Sequence, residues 1–345
     1  MKKIIYIPIL ILLGNCSFFK LGSLQNNQKI TLKNDSINFN VENNRVLLQN
    51  DVNFILDIGA ANVLFTNKVN HFKIKDSLCI GSLETPTGEK LENRVVVLDS
   101  ISNQLFTIND AVFRKMDKKY CFTSYGLLGP ETFENQIIAL NFEKNKIYKT
   151  NIGADQLKGY EMLQVSDFDG YFFNIDVFIN NVKTSVKLDT GNPYDLVLSY
   201  KDFSKIQNQK FFSYHKGSDS TSNTLASLQM NNYSDNILIK SAPKIKRNLL
   251  GVGFMKNYNW ILDYKDGNVY AKKISKNQPK YLKNKAFIVD DLLFYGETYQ
   301  KEKIEFLGKE IISVNKIKVN PENICEMQDL LNQTEDWNLL KLTFK

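Results

Sequence analysis

Phe54-Ile55-Leu56-Asp57-Ile58-Gly59 and Val186-Lys187-Leu188-Asp189-Thr190-Gly191 share one plan: an apolar strand runs into Asp, one residue intervenes, and Gly comes next. An Asp closing a hydrophobic strand is costly unless it is solvated, paired or protonated. A Gly two residues on permits a tight turn and close backbone approach, so its amide can steady the carboxylate. Seven residues past each Asp come Leu64-Phe65 and Leu196-Val197, which read as return strands. One Asp-x-Gly turn is commonplace. Two, in matching surroundings, raise the question of a repeat.

Downstream the repeat is explicit. Leu127-Leu128-Gly129 and Leu249-Leu250-Gly251 each end in Gly after two aliphatics. Twelve residues past each Gly lie Asn141-Phe142 and Asp263-Tyr264, and seven further on the chain reaches Tyr148 and Tyr270. The offset between the copies is constant at 122 residues, from 129 to 251. A register held over several elements marks a duplicated unit. Residues 139–142 and 261–264 read as strands, each leading into a polar turn and a second strand. The spacing predicts a hairpin in each copy, with Asp266-Gly267 suited to positive φ in the second. Asp and the later Gly are 72 residues apart in the first copy (57 to 129) and 62 in the second (189 to 251), a modest insertion in the first.

A pseudo-two-fold axis between such units would bring the two carboxylates side by side. Two carboxylates in contact share a proton, because both cannot ionise easily. The ionised member then draws a proton from water while the protonated member donates to an amide carbonyl. No metal, thiol, imidazole or cofactor is required. His71 and His215 are the only histidines, outside any His-Glu-x-x-His pattern, and no Gly-x-Ser-x-Gly elbow occurs. Both histidines read as surface or packing residues.

The 345 residues are ample for two or three compact units, and 23 Phe with 16 Tyr suit strand-rich cores. Asn and Lys abound throughout, which reads as compositional bias. The formal charge of +7 becomes +5 once Lys2 and Lys3 leave with a signal peptide, and the excess is spread thinly. A nucleic-acid binder would concentrate it on one face, so no nucleic acid is expected as partner. Lys2-Lys3 and the apolar run from Ile4 to Leu13 form an export signal too short to span a bilayer. Leu13-Gly14-Asn15-Cys16 resembles the lipobox of bacterial lipoproteins, which implies lipidation of Cys16, a bacterial cell-envelope location and a membrane anchor; Asn15 departs from the usual small residue there. Cys79, Cys121 and Cys325 then remain, an odd number that implies no disulfide framework. Pairing of Cys79 with Cys121 stays open beside the reading preferred, three small buried hydrophobes.

At these residues the chain resembles the aspartic peptidases, both retropepsin-like and pepsin-like. Leu188-Asp189-Thr190-Gly191 looks like the family's active-site loop, and Leu249-Leu250-Gly251 like the element that supports it from beneath. Phe254 and Trp260-Ile261-Leu262-Asp263-Tyr264 resemble the stretch after that element in bacterial members. The first half repeats the plan with Asp57-Ile58-Gly59 and Leu127-Leu128-Gly129. The resemblance covers roughly residues 35–275 and implies a mainly β fold with two duplicated acid-protease-type β-barrel lobes around a pseudo-two-fold axis. It implies Asp57 and Asp189 as the catalytic dyad, loop support from Gly59, Thr190, Gly191, Gly129 and Gly251, and an extended polypeptide as substrate of a monomeric endopeptidase. Flaps would lie at 79–88 and 217–224.

Three departures stand out. Ile58 replaces the Thr whose hydroxyl, in the family, crosses between the loops. Ala61 and Pro193 replace a Ser or Thr that bonds the carboxylate, and Tyr125 and Asn248 stand where Asp often precedes Leu-Leu-Gly. Each loss removes on the order of 1 kcal/mol of support. A catalytically degenerate, peptide-binding envelope lipoprotein of the same fold is the alternative these departures favour.

The resulting division is a signal and lipidation segment at 1–16, lobes at 17–150 and 151–275, and a small α+β module at 281–345. In that module Leu307-Gly308-Lys309-Glu310-Ile311-Ile312-Ser313-Val314-Asn315 resembles the central strand of a PDZ domain. A helix is predicted over 321–331 and a closing strand over 339–344.

Overall fold

The computed structural model describes residues 20–25, 27–33, 35–49, 53–84, 90–116, 121, 124–206, 212–216, 219–276, 284–298 and 301–345. Cys16 and the export signal lie outside these residues. The protein is mainly β, with a six-stranded barrel among several sheets.

The barrel belongs to the second half. Strand Phe173–Ile179 pairs with Val182–Asp189, which pairs in parallel with Leu249–Gly251. From there pairing passes through Leu196–Val197, Tyr233–Ser241 and Asp219–Met230, and Phe178↔Gln229 with Ile179↔Leu228 closes the ring back on the first strand. Alternation explains its inside: along Val182–Asp189, up to Leu188, the buried side chains are Thr184, Val186 and Leu188. The first half uses the same pairings. Phe54–Leu56 pairs in parallel with Gly126–Leu128, and Val63–Phe65 pairs antiparallel with the latter and parallel with Phe106–Met116. Here the sheet runs on through the long hairpin Ile74–Glu84 and Lys90–Ser102. No closing pair occurs among the described residues, so the expectation of a barrel in each half is met in the second only.

Both predicted hairpins are present, Ile137–Asn141 with Lys146–Lys149 and Tyr258–Asp263 with Asn268–Lys273. Gly267 takes φ +75° at the second turn, and Asn145, 122 residues earlier, takes φ 51° at the first. The side chains of Asn141 and Asp263 accept amide hydrogen bonds within their turns, from Lys144 in one and from Lys265 and Asp266 in the other. The hairpins also pair with each other, antiparallel, in the register Ile138↔Leu262 and Ala139↔Ile261. One buried cluster therefore runs through both halves, from Phe39, Phe54 and Phe113 to Phe254, Tyr258 and Trp260.

Asparagine is more than compositional bias. Among the described residues it supplies eight of the twelve non-glycine residues at positive φ. Asn180-Asn181 turns the two-residue hairpin that leads into the strand ending at Asp189, and Asn43-Asn44 turns the hairpin of Ser36–Glu42 with Arg45–Leu48, the strand beside Phe54–Leu56. Its short side chain tolerates the left-handed region that such turns require.

The C-terminal unit has its own core of Ala286, Leu293, Tyr295, Ile311, Val314, Ile324, Met327, Leu331 and Trp337. The helix runs Ile324–Gln333 and the last strand Leu342–Phe344, each starting three residues later than predicted. Strand Ile311–Val314 is central in its sheet, flanked by Ile317–Lys318 and Leu342–Phe344. Two links fasten this unit. Lys240 Nζ donates to both carboxylate oxygens of Glu297, at 2.9 and 2.8 Å, with both side chains buried. Cys121, just ahead of Leu127-Leu128-Gly129, is disulfide-bonded to Cys325 in the helix, across 204 residues. This corrects the reading of three unpaired buried cysteines and the open Cys79–Cys121 pairing, since Cys79 is free and exposed. Parity misleads here because an odd count still allows one pair, and nothing local marks a partner so distant in the chain.

Candidate active site

Asp57 and Asp189 meet. Each is almost buried, 6% and 9% exposed, and each carboxyl lies in the field of the other. The glycines explain how they come so close. A Cβ on Gly59 would run into the carboxyl of Asp189, and one on Gly191 would run into the carboxyl of Asp57. Each loop thus packs its bare glycine against the other loop's carboxylate, an approach no other residue allows.

Each Asp is set by the strand beneath it. Leu56 pairs with Leu128 and Leu188 with Leu250, so Asp57 and Asp189 sit level with Gly129 and Gly251. Both of these glycines press on the Asp loops: a Cβ on Gly129 would strike Ala60 and Ala61, and one on Gly251 would strike Asn192 and Tyr194. Two asparagines that no motif singles out tie loop to support. Asn62 Oδ1 accepts from Gly129 N at 2.6 Å, and Asn192 Nδ2 donates to Leu249 O at 3.1 Å. Glu131, its carboxyl pushed up by burial, accepts from Asn62 N at 3.3 Å.

The loops are joined by Thr190. Its Oγ1 accepts from Ile58 N at 3.0 Å and donates to Leu56 O at 2.7 Å. Ile58 is buried and, lacking a hydroxyl, returns nothing of the kind. Asn248, where the family resemblance implies an acid, still fastens its neighbourhood: it donates to Ser185 O and Asp202 and accepts from Ser199 N. Tyr125 instead joins Phe54, Phe72 and His71 in an aromatic cluster, which gives His71 a packing role. The side chain of His215 lies outside the described residues.

The two carboxyls differ electrostatically. Burial raises both above the ordinary carboxylate value, and the neighbouring charge raises Asp57 further. Asp57 accepts one loop amide, from Gly59 at 3.0 Å. Asp189 accepts two, from Gly191 and Asn192 at 2.9 Å each, and the Lys187 ammonium pulls it down. More donors therefore face Asp189 than Asp57, and the pair is electrostatically asymmetric. Lys187 and Arg45 are both half-buried and both lie in the field of the pair, and the sequence patterns point to neither. The one visible signal is a lysine interrupting Val186-Lys187-Leu188, which alternation alone assigns to a solvated face.

Both candidate flaps belong to real hairpins, Ile74–Glu84 with Lys90–Ser102 and Phe212–Lys216 with Asp219–Met230. Their tips, 85–89 and 217–218, lie outside the described residues. No three His, Cys, Asp or Glu side chains among the described residues cluster as metal ligands would. No helix among them is long and apolar enough to cross a membrane. No protein-family model matches the chain, and no curated protein matches it.

Proposed function

We propose that the protein is an aspartic-type endopeptidase that hydrolyses peptide bonds through the Asp57/Asp189 dyad, in a cleft between two lobes of duplicated origin. The observation that carries this reading is the buried carboxyl pair with each loop glycine packed against the opposite acid. A pseudo-two-fold relation between the lobes is supported by the hairpin pairing: Ala139 faces Ile261, its own counterpart at the 122-residue offset, so the register is self-reciprocal there. It is further supported by the same parallel and antiparallel pairings around each Asp.

In the reaction, ionised Asp189 takes a proton from a water held between the acids, and the water oxygen attacks the scissile carbonyl carbon. Asp57 gives its proton to the carbonyl oxygen, so the intermediate is a neutral gem-diol. Asp189 then passes its proton to the departing amine while Asp57 recovers one from a gem-diol hydroxyl. The C–N bond breaks and the dyad returns to its starting state.

The location proposed is the envelope of a bacterium, on a lipid at Cys16. The Cys121–Cys325 bond supports an oxidising compartment, where structural disulfides persist. The C-terminal unit has a strand, helix, strand order that supports a PDZ-like reading; with its central strand flanked on both sides, an added peptide would have to pair elsewhere.

Incubation with unfolded polypeptide between pH 3 and 8, with mass-spectrometric detection of new termini, tests the activity. Asp57→Asn/Asp189→Asn is expected to lower turnover on the order of 10³-fold or more. Cleavage undiminished in that variant, or absent from the wild type across the range, would overturn the assignment. A second reading, peptide binding without turnover, is favoured by the hydroxyl-free Ile58 and the two cations beside the pair. It predicts saturable binding of an unfolded polypeptide that survives unchanged.

A further inference from the structure

The loop connection supplied by Thr190 runs one way, from the second half to the first. A second cross-connection exists beside it. Lys187 lies two residues ahead of Asp189, on the face of its strand opposite Val186 and Leu188. Its ammonium crosses to the other loop and donates to Gly59 O at 2.6 Å. The same nitrogen sits 3.4 Å from the centre of the Phe172 ring, which also steadies the cation. Gly59 is the residue whose amide donates to Asp57 and whose missing side chain makes room for Asp189.

We infer that Lys187 is a positioning residue that takes over the half of the loop clasp Ile58 cannot make, holding Gly59 and hence Asp57 in register with Asp189. The inference rests on the dyad reading of the site. A lysine in this place does two things where a hydroxyl does one. It ties the loops by a charge-assisted hydrogen bond, stronger than a neutral one. It also sets a positive charge beside the pair. The charged groups facing it are Asp57, Asp189, Asp169, Glu131 and Arg247, and Arg45 faces the acids as well. Burial lowers the lysine from its ordinary value and the acids around it act in the opposite direction.

The test separates the tie from the charge. Lys187→Met is expected to speed hydrogen exchange of the Ile58 and Gly59 amides about tenfold or more, to lower kcat by a similar factor with KM little changed, and to move the dyad titration upward. That titration is read by carbon NMR of the Asp carboxyls, which needs no turnover. Adding Ile58→Thr to Lys187→Met should restore slow exchange and kcat while leaving the titration displaced, because a hydroxyl replaces the tie and not the charge. Exchange and titration unchanged in Lys187→Met would overturn the inference, as would a folded double variant with no recovery of exchange. Should Lys187→Met alone not fold, the double variant decides: folded it supports the clasp, unfolded it overturns it. A wild type without activity would end the peptidase reading, yet exchange and NMR would still decide the role of Lys187.

Discussion

Gly59 and Gly191 are positions where a single methyl group should abolish the site. The methyl of Gly191→Ala would occupy the space of the Asp57 carboxyl, so the loops must separate. Overpacking of this kind costs about 1–3 kcal/mol. Thermal unfolding should report that loss, and turnover should fall far more than stability does. The acids themselves carry a pH signature. Asp57 in the folded protein is raised well above the ordinary carboxylate value, by burial first and by the charge of Asp189 second. A raised carboxyl binds its proton more tightly folded than unfolded, so its stabilising effect is fully present below the ordinary value and is lost as pH rises through the folded one. Stability measured by denaturant titration should therefore decline from mildly acidic toward neutral pH. Asp57→Asn/Asp189→Asn should flatten the decline and be the more stable protein at neutral pH.

Hairpin turns carry the next scale. The Asp263–Asn268 turn needs positive φ at Gly267, where an added Cβ would also come within 2.7 Å of the Phe168 ring. Gly267→Ala should cost about 1–2 kcal/mol. At the corresponding Asn145, Gly should be neutral or slightly stabilising and Ala should destabilise by roughly 1 kcal/mol. A parallel series of midpoints would check whether two turns 122 residues apart answer alike. The hairpins are legible in the sequence because the signals are local: alternating apolar residues, a polar turn, a residue that tolerates the left-handed region. The pairing of hairpin with hairpin is not, because nothing within either segment names its neighbour across the sheet.

At the scale of the whole molecule, the C-terminal unit is fastened to both halves, by Cys121–Cys325 to the first and by Lys240–Glu297 to the second. Closing a loop of 204 residues restricts the unfolded chain strongly. Cys325→Ser should lower stability by about 2–5 kcal/mol, and reductant should bring the wild type down to the same midpoint. Lys240→Met should cost about 3–5 kcal/mol, because it takes a buried ammonium away from the buried Glu297 carboxylate. Pairing that change with Glu297→Met should recover most of the loss. A double variant no better than the single one would show that the ion pair itself, and not the cost of burying the remaining carboxylate, sets the loss.

The amino-acid order alone carries the paired Asp-x-Gly loops, the Leu-Leu-Gly supports, the hairpins and the repeat that orders them. Such features are written in short-range spacing, apolar alternation and the conformational freedom of Gly and Asn, and a linear text records all of these. Folding adds that Cys121 joins Cys325, that Lys240 meets Glu297, that Lys187 reaches Gly59, and how unequally amide donors surround the two carboxyls. Hydrogen bonds, disulfides and electric fields act over ångströms between groups that lie scores of residues apart, and separation along the chain carries no measure of that distance.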